Sequence, residues 1–115
     1  MGSTRIHPRI RVNIKAELAV QGFEDITNGN ITNISCGGCR IVLNQFSRVP
    51  LGTINSLTFA LQDVGFVNEI QSTVIRVDLI DGGLATTWGC VFIGPTSETE
   101  KVAMFCHICS LSALS

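Results

Sequence analysis

Arg5 and Arg9 stand four residues apart around His7-Pro8, and Arg11 and Lys15 follow before the first acid at Glu17. Pro8 fixes its own φ and biases His7 toward extended backbone, so this stretch reads as a semi-rigid turn rather than a helix. Arginine can grip phosphate with two parallel hydrogen bonds, stack on an aromatic plane, and bond guanine O6 and N7. Two arginines on one turn can therefore hold a purine nucleotide at both ends, and lysine cannot supply all three contacts. A solvated basic tail is the competing reading of such a cluster.

A second constellation is Asn33-Ile34-Ser35-Cys36-Gly37-Gly38. Asn33 and Ser35 are two apart on a strand, so both side chains leave the same face. The amide offers donor and acceptor together and the hydroxyl offers either. Gly38 permits a positive φ or the close approach of a ligand to the backbone. Taken alone, these are also ordinary residues for a polar turn closing a hairpin. Arg40 and Arg76 are further arginines on the expected strands and are secondary contacts at most, since an arginine beside a strand is commonly just solvated.

The remaining reactive residues form no catalytic set. His7 lies inside the basic turn and His107 near the C-terminus, neither with a nucleophile and acid at motif distance, and the nine acids make no paired-carboxylate site. No enzymatic activity is expected. Cys36-Gly37-Gly38-Cys39 and Cys106-His107-Ile108-Cys109 are both CxxC pairs, which keeps a zinc or redox module as an alternative. Almost the whole chain separates them, however, and Cys90, Cys106 and Cys109 suit a small buried hydrophobe.

The elements that position these residues follow from periodicity. Strict alternation from Val12 to Gln21 predicts a half-buried strand, with Gly22, Glu24-Asp25 and Asn28-Gly29 marking the turn after it. Asn30–Ser35 and Cys39–Asn44 predict a hairpin around Gly37-Gly38. Ile54–Leu61 and a long run from Gly65 to about Ile80 come next, with Thr73, Ile75, Val77 and Leu79 sharing a face. Asp81-Gly82-Gly83 is a hairpin turn, and Thr86, Trp88, Cys90 and Phe92 alternate with Thr87, Gly89 and Val91. Six strands without intervening helices predict a mainly β fold, an antiparallel six-stranded barrel, because closure removes exposed sheet edges. Ser97 with Glu100 reads as a capping box opening one C-terminal helix, on which Val102, Phe105, Cys106 and Cys109 recur at helical spacing.

Size and charge set outer bounds. The chain has 115 residues, 45% of them apolar, with 8 Lys+Arg against 9 Asp+Glu for a net charge of −1. That is one domain, expected over residues 4–115, with residues 1–3 reading as an expression scar or trimmed start. The charge excludes a generally basic coat for DNA or RNA. The longest uncharged tail, residues 102–115, falls short of the ~20 residues needed to cross a bilayer, so no membrane insertion is expected. No basic and apolar leader opens the chain, and the cytoplasm is the default location.

The two constellations together resemble the signature of the PilZ family of bacterial cyclic di-GMP receptors, RxxxR followed downstream by D/NxSxxG. Arg5 and Arg9 match the first motif, and Asn33, Ser35 and Gly38 the second. The resemblance extends through Val74-Ile75-Arg76-Val77, Trp88-Gly89-Cys90-Val91-Phe92 and the closing helix. It implies a split β-barrel that binds cyclic di-GMP without a cofactor. The arginine segment would wrap guanines and phosphates, and Asn33, Ser35 and Gly38 would hold another part of the ligand against the barrel. Thr4 stands where many members carry a further arginine, which leaves one ligand or a stacked pair open. The implied role is a bacterial cytoplasmic signalling domain that couples the second messenger to an effector protein or attached domain. A PilZ-like adaptor acting through protein contacts alone is the runner-up.

Overall fold

The computed structural model describes residues 8–114; Arg5 and His7 of the basic turn lie outside them. Six strands run β1 Ile10–Val20, β2 Asn28–Ser35, β3 Gly38–Leu43, β4 Ile54–Leu61, β5 Gly65–Ile80 and β6 Ala85–Phe92. Helix α1, Ser97–Leu114, ends the chain. The strands close into an antiparallel barrel in the order β1-β2-β3-β6-β5-β4. Two strands pair with their two neighbours in succession rather than side by side. β1 pairs with β2 over Ile10–Glu17 and with β4 over Glu17–Val20, and the 16-residue β5 pairs first with β4, then with β6.

Alternation delivers the core. Ala16, Leu18 and Val20 of β1, Leu57, Phe59 and Leu61 of β4, and Trp88, Cys90 and Phe92 of β6 all point inward. Ile31, Ile34 and Ile41 are fully enclosed, each stabilising the fold by roughly 1.5–3 kcal/mol through apolar burial. Trp88 meets its polar need by donating Nε1–H to the Ser47 carbonyl at 2.8 Å. The Ser47 amide in turn donates to Thr86 Oγ1 at 2.9 Å, which ties the β3–β4 connection to β6. Val102, Phe105 and Cys106 of α1 join the same core, as their helical spacing predicts.

Several local expectations are corrected. Asn28 and Gly29 belong to β2, paired with Glu17 and Ala16, so only the earlier positions, Gly22 and Glu24-Asp25, lie in the turn as expected. The common face expected for Thr73, Ile75, Val77 and Leu79 is broken by a bulge between Val74 and Arg76. Val74 is fully buried, while Ile75 and Arg76 both point outward, because the extra residue shifts the alternation by one. The helix cap is Thr96, not Ser97. Thr96 Oγ1 accepts from the Thr99 amide at 3.1 Å, Thr99 Oγ1 accepts from the Thr96 amide at 2.7 Å, and the Glu100 amide donates to the Thr96 carbonyl at 3.1 Å. Threonine at both positions forms the reciprocal box one residue ahead of Ser97 and Glu100. Glu98 then fastens the first turn to β5, its Oε2 accepting from the Asn68 amide at 2.8 Å, and Lys101 Nζ donates to the Phe66 carbonyl at 3.1 Å.

Candidate functional site

The register places a row of polar positions across the outer face of the barrel. Arg11 on β1 pairs with Asn33 on β2, Asn33 with Arg40 on β3, Arg40 with Gly89 on β6, and Gly89 with Arg76 on β5. Asn33 and Arg76 are thus three strand spacings apart, about 14 Å at ~4.8 Å per step. A cleft of about 620 Å³ lies along this row, lined among others by Arg9, Asn33, Ser35, Arg40, Arg76 and Asp78. That volume is in the usual range for small-molecule sites, roughly 300–1,000 Å³.

Each wall has a local cause. Asn33 reaches the outer face because a bulge at Thr32 sits between the buried Ile31 and Ile34. Ser35 ends β2 on the same side, its hydroxyl 3.4 Å from the Gly38 carbonyl, with its lone pairs left as acceptors. The opposite wall comes from the β5 bulge, which turns Ile75 and Arg76 outward. Arg76 Nε donates to Asp78 Oδ2 at 2.8 Å, and both side chains are solvent-exposed, at 76% and 48%. Ile75 and Val91, 55% and 43% exposed, add apolar surface on which a planar base can lie. Among the described cleft residues, three guanidinium groups (Arg9, Arg40 and Arg76) face one carboxylate, Asp78.

The floor is made of glycine. Gly38 does not have the positive φ that its position in a turn allows. It is instead pressed against β6, where an added Cβ would collide with the Cys90 carbonyl oxygen and lie 3.2 Å from the Cys90 carbonyl carbon. The close approach is therefore by a neighbouring strand. At Gly89 a Cβ would point between the walls and meet only Arg76 Cβ, at 3.3 Å. The cleft thus brings together every described candidate from the sequence: Arg9, Asn33, Ser35, Gly38, Arg40 and Arg76. Sequence reasoning missed Asp78 and Gly89. Two signals pointed to them: Asp78 is two residues from Arg76 on a strand, and glycine inside a strand marks a close approach.

The cysteines are sorted differently from their sequence pairs. Cys39 and Cys90 are cross-strand partners inside the barrel. The hydrogen bond shared with Cys90, and then burial, push the Cys39 thiol well up. Burial, with Cys36 and Cys109 nearby, pushes Cys106 up to about 11, and Cys106 shares a hydrogen bond with Cys36. The Cys36–Cys39 pair is therefore divided between different partners, whereas Cys106 and Cys109 stay near each other on α1. Among the described residues no group of three or more His, Cys, Asp or Glu is arranged to hold a metal ion.

A family model described as PilZ domain matches residues 3–106. Curated proteins give no match. Among solved structures, the Bacillus subtilis inhibitor of motility MotI/DgrA is 16% identical with a TM-score of 0.76, over 96% of this chain and 52% of that one. The K. pneumonia MrkH–c-di-GMP complex is 16% identical with a TM-score of 0.76, over 98% of this chain and 55% of that one. The PilZ domain of YcgR from Escherichia coli with c-di-GMP is 13% identical with a TM-score of 0.69, over 97% of this chain and 98% of that one. At these identities the likeness is one of fold, and the chain spans about half the length of MotI/DgrA and MrkH.

Proposed function

The chain belongs to the PilZ domain family, and from that premise we propose that it is a cyclic di-GMP receptor domain whose ligand lies in the cleft on the barrel's outer face. The observation that carries this reading is convergence. Residues far apart in sequence, from Arg9 through Asn33, Ser35 and Arg40 to Arg76, line one cleft with an excess of positive charge. Cyclic di-GMP carries two phosphodiester charges and two guanines, and arginine is suited to both. The structural neighbours seen with c-di-GMP, MrkH and the YcgR PilZ domain, support the same ligand.

In this reading Arg9, with Arg5 before it, grips a guanine and phosphates, while Asn33 and Ser35 hold the far side of the ligand beside the β2–β3 turn. Arg40 and Arg76 are secondary contacts from the cleft walls. Gly38 contributes by keeping the floor flat and β3 close to β6. Ligand capture by the arginine segment then alters the surface at the start of β1, and an effector protein or attached domain reads that change. The role is binding rather than turnover, because the cleft holds one carboxylate and no histidine among its described residues. No described helix is long and apolar enough to cross a membrane, and the reading places the domain in the bacterial cytoplasm.

Calorimetric titration of cyclic di-GMP into the protein and its Arg9→Ala variant tests this. Micromolar or tighter binding is expected, weakened at least ~10-fold in the variant through loss of charge-assisted hydrogen bonds. A folded wild-type protein that takes up no cyclic di-GMP would favour an adaptor working through protein contacts alone.

A further inference from the structure

Arg76 and Asp78 form the cleft wall farthest from Asn33, and nothing in the RxxxR and D/NxSxxG motifs covers it. We infer that this pair reads the Watson–Crick edge of a guanine and so selects cyclic di-GMP over other cyclic dinucleotides. The inference rests on the receptor reading above and assigns the base specificity of the same cleft.

The chemistry follows from what the two side chains present together. Guanine offers, in sequence along one edge, an acceptor at O6 and donors at N1–H and N2–H. Arg76 commits Nε to Asp78 Oδ2 at 2.8 Å, which leaves the terminal guanidinium nitrogens to donate to O6. Asp78 is left with its other oxygen and a spare lone pair, enough to accept from two adjacent donors. A carboxylate facing two neighbouring N–H groups is specific for guanine, because adenine has a single donor on that edge, at N6, beside the N1 acceptor. The ion pair also holds the two groups side by side before ligand arrives, so less freedom is lost on binding.

The position fits a base rather than a phosphate. Asp78 is the one carboxylate among the described cleft residues, and a carboxylate repels phosphate. Its partner Arg76 stands at the far end of the row, about 14 Å from Asn33 by strand spacing, which separates a second base from the one held at the β2–β3 turn. Beside it, Gly89 leaves the floor open and the exposed Ile75 offers an apolar surface for the ring. Asn33 is neutral, so Asp78 is the group here with the stronger pull on guanine N–H donors.

The test is titration of cyclic di-GMP, its inosine analogue lacking both N2 amino groups, and cyclic di-AMP into wild-type protein and the near-isosteric, exposed Asp78→Asn variant. Wild type should prefer cyclic di-GMP over the inosine analogue and over cyclic di-AMP by at least ~10-fold, the scale of a two-bond base contact. In Asp78→Asn the preference over the inosine analogue should shrink several-fold, with an unchanged melting temperature showing that the fold is intact. Equal preference in both proteins would overturn the inference while leaving the receptor reading in place. Tighter binding of all three ligands by Asp78→Asn would also overturn it, since Asp78 would then be only a competitor for Arg76. Wild-type protein that binds none of the three would overturn both. Where wild type binds, Arg9→Ala separates a general loss of affinity from a loss of N2 reading, because it should weaken cyclic di-GMP and its inosine analogue alike, both of which keep O6, N7 and the phosphates.

Discussion

Replacing Gly38 with alanine drives a methyl group into the Cys90 carbonyl oxygen, with the Cys90 carbonyl carbon at 3.2 Å and Val91 Cα at 3.3 Å behind it. All three are backbone atoms, so no side chain can swing away and the start of β3 must separate from β6. Overpacking of this kind costs about 1–3 kcal/mol, and losing a ladder hydrogen bond adds ~1 kcal/mol. For 115 residues at about 2.1 cal/mol/K per residue the unfolding entropy is ~0.24 kcal/mol/K, so a cost of about 2–4 kcal/mol lowers Tm by about 8–17 °C. Gly89→Ala is the matched control on the same floor. Its Cβ meets only Arg76 Cβ, at 3.3 Å, on a wall that can yield, so its Tm should stay within about 4 °C of wild type, a cost of ~1 kcal/mol or less. Its methyl enters the cleft, so if the proposed receptor reading holds, affinity for cyclic di-GMP should fall. Thermal unfolding followed by circular dichroism, with titration on the same samples, reads both effects. A Gly38→Ala protein that melts within about 2 °C of wild type would refute the packing argument, and loss of binding at unchanged stability would return Gly38 to direct ligand contact.

Thr96→Ala should remove the helix cap and cost about 1 kcal/mol, whereas Ser97→Ala should leave Tm nearly unchanged; the reverse order in thermal melts would place the cap at Ser97 after all. Glu98 is held below the usual glutamate range first by the Asn68 amide it accepts from, and also by Lys101. Its folded value is depressed, so its stabilisation is present above the unfolded value and lost as pH falls through the folded one. Wild type should thus lose stability on acidification more steeply than Glu98→Gln, as urea unfolding at neutral and acid pH would register, and parallel pH profiles would contradict the assignment.

Much of the site was legible because its signals are local. Asn33, Ser35 and Gly38 stand at short fixed spacings, and a period of two tells which side chains leave a strand together; Arg9 joins them in the cleft, while Arg5 lies outside the described residues. The same periodicity marked six strands and one helix, with Ile54–Leu61 and Gly65–Ile80 matching the structure at both ends. The errors fell at a bulge set by a partner distant in sequence and at a helix cap where two local boxes compete. Nothing in Val74-Ile75-Arg76-Val77 announces a bulge, since it exists only in the register against β6. Thr96 and Ser97 are both acceptable caps, and Thr99, placed to bond back to Thr96, decides between them.

Sequence alone thus determined the chemistry available to this protein: arginines able to bond a phosphate or a guanine, an amide and a hydroxyl on one face, and a strand pattern suited to closing on itself. Tertiary structure decided which of those groups meet. Closing the barrel put β6 between β3 and β5, which set Arg40 and Arg76 on either side of Gly89 and brought Asp78 into the cleft. It also paired Cys39 with Cys90 rather than with Cys36. Such neighbours are separated by tens of residues, and their adjacency follows from strand order and register, which depend on packing of the whole core rather than on any local run of residues.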